Sequence, residues 1–214
     1  MKKTLILLTL LSCSLVTMAQ YENAKQVFES PTLKESVKTH KLVAIIPFET
    51  TISFKKTPKN YDAEANREKE RKMASSIQSS MYTFLLRKAD NYSVVFQDVD
   101  KTNTLLKRAG MIDKLGDYTK DEIAKVLGVD AVIGGKFETE QTKSEAGAIV
   151  TTVLFGGLGS KTGSGALTML VNNGSNGELL WRFFKSMNDS VFTSTDELVD
   201  RMMRKVSRNF PYSK

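Results

Sequence analysis

The chain has 214 residues, with 31 Lys and Arg against 24 Asp and Glu for a net charge of +7, and it holds one cysteine and one histidine. One cysteine cannot form an intrachain disulfide, and no multi-cysteine metal site can be built. The positive balance is mild and shows no basic cluster interleaved with aromatics, so nucleic acid is not an expected partner.

The amino terminus carries Lys2 and Lys3, an apolar stretch from Leu5 to Val16, and then Thr17-Met18-Ala19 with small residues at both ends. That pattern is a secretory leader. Its apolar part falls short of the roughly 20 residues a spanning helix needs. Cleavage after Ala19 removes two lysines and no acid, which lowers the net charge from +7 to +5. A second reading uses Cys13, because Leu10-Leu11-Ser12-Cys13 loosely resembles a bacterial lipobox in which the cysteine is lipidated. Leu11 is unusual at its place and the Ala19 site is well formed, so the soluble exported reading is preferred. Under that reading the exported chain has no cysteine, and its stability must come from a core. A chain of this size buries roughly 70% of its unfolded surface, enough for one domain.

Residues 20–41 are polar, with Val27, Phe28, Leu33 and Val37 scattered among them and a proline at 31. They read as a loosely attached arm with one short helix. Leu42 to Phe48, Leu-Val-Ala-Ile-Ile-Pro-Phe, is a short apolar run rich in β-branched residues and closed by proline, which suits a strand buried on both faces. Thr50 to Asp62 contains three lysines, Pro58 and Asn60 and is expected to be an exposed loop. Asp62 is placed to cap a long helix from about Ala63 to Lys88. Met73, Ile77, Met81, Phe84 and Leu85 share one face of it, while its charged first half, Glu64 to Lys72, is expected to project into water.

Tyr92 to Gln97 reads as a short strand, and Lys101 to Ala109 as a helix ending at Gly110. Thr119-Lys-Asp-Glu122 is a capping box opening a helix with Ile123, Val126 and Leu127 that ends at Gly128. Val129 to Gly135 is the next apolar strand, and Lys136 to Gln141 alternates charged with other residues as a half-exposed strand does. Leu167, Met169 and Val171 alternate likewise, and Asn173-Gly174 with Asn176-Gly177 marks a turn into Leu179 to Phe184. Ser194 and Glu197 form another capping box before a helix with Leu198, Val199, Met202, Met203 and Val206 inward. The order predicts an α/β fold: a single mixed β-sheet with packed helices, β-α-β-α-α-β and then an antiparallel meander and a carboxy-terminal helix.

Three segments carry a family resemblance. Leu42 to Phe48 resembles a "VAVLPF" opening strand, Leu127 to Gly135 (Leu-Gly-Val-Asp-Ala-Val-Ile-Gly-Gly) a "LGADAVVxG" strand, and Gly177 to Trp181 (Gly-Glu-Leu-Leu-Trp) a late "TGxLLW" strand. In order and spacing the set resembles the CsgG-like and TolB amino-terminal-like group of bacterial envelope proteins, which includes LpoB. The resemblance implies a non-enzymatic domain over 42–214 that works in the periplasm or at the outer membrane by binding envelope proteins, and itself in an oligomer. It implies no catalytic residue and no cofactor. The alternative it implies is an oligomeric outer-membrane secretion component of the CsgG type. Strands of a membrane barrel alternate apolar and polar over roughly 9 to 11 residues, and Thr50 to Asp62 is too polar to supply such a hairpin.

Gly147 to Gly159 is apolar and glycine-rich. Most of it reads as a buried strand, with Phe155 and Leu158 held open as a partner or membrane contact. Gly159-Ser-Lys-Thr162 imitates the end of a phosphate loop, but Ser160 replaces the glycine before lysine and no helix pattern follows. His40 reads as an exposed bystander, Asp98 as a helix cap that with Asp100 and Asn103 misses calcium-loop spacing, Glu138 and Glu140 as a solvated strand face, and Trp181 as core.

Overall fold

The computed structural model of the protein describes residues 25–141, 165–187 and 195–214. The fold is α/β, with β1 (Lys25–Glu29), α1 (Leu33–Thr39), β2 (Leu42–Ile45), β3 (Glu49–Phe54), α2 (Ala63–Leu86), β4 (Val95–Phe96), α3 (Val99–Arg108), α4 (Lys120–Leu127), β5 (Ala131–Gln141), β6 (Gly165–Asn173), β7 (Leu179–Met187) and α5 (Thr195–Val206). All seven strands form one mixed sheet in the order β1-β7-β6-β5-β2-β4, with β3 also paired to β5. β2 is parallel to β4 and β5, whereas β5, β6, β7 and β1 form an antiparallel meander.

The Leu42 strand is buried on both faces as its composition predicts: Val43, Ala44 and Ile45 have no exposure and Ile46 has 3%. Ile46 still donates its N–H to Ile133 O at 2.9 Å. At Pro47 the ladder is interrupted. It resumes two residues later as β3, which runs parallel to the second half of the same strand β5, from Glu49↔Lys136 to Phe54↔Gln141. The expected loop at Thr50 is thus a strand as far as Phe54, because the eleven-residue β5 is long enough to pair β2 and β3 in turn.

Helix α2 begins as expected, with Asp62 Oδ1 accepting from the N–H groups of Glu64 and Ala65 at 2.9 and 3.1 Å. Its first half does not simply project into water. Ile52 N–H donates to Glu70 Oε1 at 2.8 Å, and Asn66 Nδ2 donates to Ile52 O at 3.2 Å, so two helix side chains complete the open edge of β3. The opposite stripe, with Glu64, Arg67, Glu68 and Arg71 in exposed ion pairs, is solvated. Pairs of that kind contribute little to stability.

The capping box before α4 forms, with Glu122 Oε2 accepting from the Thr119 N–H at 2.8 Å. Gly128 ends the helix at φ +66°, a conformation that favours glycine. Asp98 caps α3 by accepting from Lys101 N–H at 3.0 Å. The strand expected over Tyr92 to Gln97 is confined to Val95–Phe96.

Residues 20–41 differ from a loose arm over their described part. β1 pairs with β7 in register from Lys25↔Lys185 to Glu29↔Trp181, and Ser30 N–H donates to Leu180 O at 2.8 Å. Glu178, from the β6–β7 turn, accepts from the hydroxyls of Ser30 and Thr32 at 2.6 Å each. Scattered apolar residues hid this edge strand, since a strand at the rim of a sheet has little to bury.

Two apolar layers flank the sheet. On one face α2 and α5 cover Val43, Ile45, Ile133, Leu167, Met169, Val171, Trp181 and Phe183. On the other, α3 and α4 cover Ala44, Ile46 and Val132 through Leu106, Ile123 and Leu127. Of the residues expected inward on α5, Val199, Met202, Met203 and Val206 are buried, while Ser194 and the Leu198 side chain lie outside what the structure describes.

Candidate functional site

Helices α3 and α4 pack on this side of the sheet, α3 against β2 and α4 against β5 and β6. Alternation along the strands puts Lys136, Glu138 and Glu140 of β5, Ala166, Thr168 and Leu170 of β6, Arg182, Phe184 and Ser186 of β7, and Phe28 of β1 on the same side. Lys136, Glu138 and Phe28 are exposed and the β6 and β7 residues half-buried. Among the described residues this face is fully buried at the end that holds Ala44, Ile46 and Val132 and open at the other, where Lys136, Glu138 and Phe28 are exposed.

Its chemistry is mixed. Lys136 Nζ meets Glu49 Oε2 at 2.8 Å, and the Arg182 guanidinium lies 5.7 Å from the centre of the Phe184 ring. Lys120, at the border with α4, has its ammonium held below the usual range by burial, with Glu49 opposing and Lys136 adding to the effect. Aromatic and aliphatic groups framed by paired charges are what protein interfaces present, with Arg and aromatics enriched at the centre.

A second feature adjoins the β3 edge, a cleft of about 410 Å³ between β3 and the start of α2 that includes Phe54, Tyr61, Asn66, Arg67 and Glu70. Asn66 is 7% exposed, and its Oδ1 has no hydrogen-bond partner among the described residues while Nδ2 is used twice. Phe54 and Tyr61 pack edge to face at 5.7 Å on the cleft wall.

The sequence-derived candidates fare differently. Phe155, Leu158, Cys13 and the Gly159 to Thr162 stretch lie outside the described residues. Glu138 and Glu140 share the open face as expected, opposite Thr51 and Ser53 of β3 rather than other acids. Trp181 has no exposure and is core. Among the described residues no group of three or more His, Cys, Asp and Glu could hold a metal ion, and no helix is long and apolar enough to cross a membrane.

His40 corrects its expectation. It is 6% exposed, and its Nδ1 lies 2.9 Å from the hydroxyl of Tyr212, which is fully buried. The polar surroundings in sequence gave no hint, because Tyr212 closes over it from the far end of the chain. Burial lowers the His40 pKa from its ordinary 6.5, with Asp130 and Asn173 opposing. Asp130, despite its own partial burial, is held below the usual carboxylate range by the N–H groups of Leu42 and Lys41, which it accepts at 2.9 and 2.7 Å. The unfolded chain therefore binds the His40 proton more readily than the folded one, and stability falls as pH drops through 6.5. Urea midpoints measured at pH 7.5 and 5.5 should fall in the parent chain and fall less in His40→Gln. Equal losses would show that His40 is not the source.

No protein-family model matches the chain, and no curated protein is similar to it. Among solved structures the chain is similar to the PelC dodecamer of Paraburkholderia phytofirmans, with 12% identity, 90% of this chain and 99% of that one covered, and a TM-score of 0.43. The LpoB carboxy-terminal domain of Salmonella enterica has 14% identity over 74% of this chain and 93% of that one, at a TM-score of 0.35. A lipoprotein of Neisseria meningitidis has 13% identity over 79% and 98%, at 0.43. Likenesses this distant carry no functional argument.

Proposed function

We propose that this chain is an exported, non-enzymatic accessory protein of the bacterial envelope that binds another envelope protein on the open half of its sheet face. The observation that carries the reading is the unequal burial of that face among the described residues: apolar and tightly packed under α3 and α4, then mixed aromatic, aliphatic and charged where the side chains are half-buried or exposed. Export is supported by the leader over 1–19, and the envelope setting by the ordered strand motifs at Leu42, Leu127 and Gly177. The unit that acts is the α/β domain over 42–214 together with the segment over 20–41, whose described part is built into the sheet. No cofactor enters this reading.

Binding through side chains on a formed sheet separates recognition from folding. Leu170→Asp and Phe184→Asp, both half-buried on the open face, should leave the circular dichroism spectrum unchanged and cut partner recovery at least tenfold. That is the scale of losing an interface anchor of about 2 kcal/mol. Full recovery by both variants would remove the face from the proposal.

A further inference from the structure

We propose that β1 is a self-pairing edge, through which two copies of the chain join as antiparallel strands centred on Val27. This goes beyond the partner reading above and does not depend on it.

Among the described residues β1 is the last strand of the sheet order and is bonded only to β7. Ser30 donates its N–H to Leu180 on β7. Alternation then turns the backbone groups of Phe28 and Gln26 toward β7 and those of Lys25, Val27 and Glu29 outward. Residues 26–29 are all exposed. Val27 is 38% and Phe28 46% exposed although they point to opposite faces, so among the described residues it is the edge itself that is open. An open edge with apolar side chains on both faces is a template for another strand.

The sequence of β1, Lys-Gln-Val-Phe-Glu, selects the strand that fits. In an antiparallel pair about Val27, Val27 stands opposite its own copy, Lys25 opposite Glu29, and Glu29 opposite Lys25. Every outward N–H and C=O then falls in a hydrogen-bonded pair, and each charge meets its opposite. Centring the pair on Lys25 or on Glu29 instead sets like charges face to face, which is unfavourable. Within the chain, Glu29 has no ion pair among the described residues. Such a two-fold contact uses the same patch twice and closes on itself. Five residues a side is small beside the roughly 1,600 Å² of a standard stable interface, so the dimer exchanges with monomer.

Sedimentation of the purified exported chain should show a concentration-dependent dimer. Glu29→Lys should weaken it about thirtyfold, since two cross-strand pairs turn from attractive to repulsive, and Lys25→Glu with Glu29→Lys should restore it. Val27→Cys should oxidise to a disulfide dimer, because a hydrogen-bonded pair holds its Cα atoms about 5.5 Å apart, within disulfide reach. Val95→Cys, 67% exposed on the opposite edge strand, should not. A monomer at all concentrations with no Val27 crosslink overturns the proposal, and a dimer indifferent to Glu29→Lys overturns this register. Partner recovery on the open face should be unchanged by Glu29→Lys, so the two ideas fail separately.

Discussion

Gly135→Ala is expected to destabilise the protein by about 3 kcal/mol, at the upper end of overpacking substitutions. Gly135 sits in β5 where the pairing passes from β2 to β3. A Cβ there would overlap the backbone carbonyl of Thr168 on β6 and come within 2.7 Å of the Phe48 ring. Phe48 is 2% exposed and packed in the core, so it has nowhere to retreat. The neighbouring Gly134 is seated against Ile46, where an added Cβ would meet Cγ1 at 3.0 Å. The glycine pair therefore makes room for the two residues that flank Pro47, the point at which β2 gives way to β3. Gly116→Ala is the control, since nothing lies within 4 Å of its added Cβ. Urea denaturation should show a large loss for the first and a change within about 0.5 kcal/mol for the second, as at sites free of such features.

Trp181→Ala should cost about 3–5 kcal/mol, as removal of a large buried aromatic does. The ring is fully buried on β7, stacked on Phe183 at 6.0 Å and edge-on to Phe210 at 6.1 Å. Phe210 in turn packs against Tyr92 and Tyr212, so the indole supports the contact between the carboxy terminus and the sheet. Trp181→Phe should cost far less. The indole Nε1 has no hydrogen-bond partner among the described residues, so the phenyl ring gives up volume without orphaning a bond. Far-UV circular dichroism in urea checks both variants. A loss in Trp181→Phe as large as in Trp181→Ala would contradict this expectation.

The elements with strong local signals were legible in the sequence. Asp62, Thr119 with Glu122, and Gly128 mark helix ends through groups within three residues of one another, and Leu167, Met169 and Val171 alternate because one face of β6 is buried. β1 and β3 were not legible, since their positions depend on partners far along the chain, β7 and β5, and their own residues are half polar. His40 was misjudged for the same reason: its burial comes from Tyr212. The open face was only partly visible. Lys136, Glu138 and Glu140 announced a solvated side, but that Phe184, Leu170 and Phe28 lie beside them follows from register, which short alternating strands leave undetermined.

The central claim is that the open half-face meets an envelope protein, and site-specific photocrosslinking in the intact cell tests it most directly. A photoreactive residue at Thr168 or Phe184 should capture one envelope protein, while the same residue at Arg71, on the solvated stripe of α2, should capture none. Capture from Arg71 but from neither face position, or capture only of cytoplasmic proteins, would contradict the account.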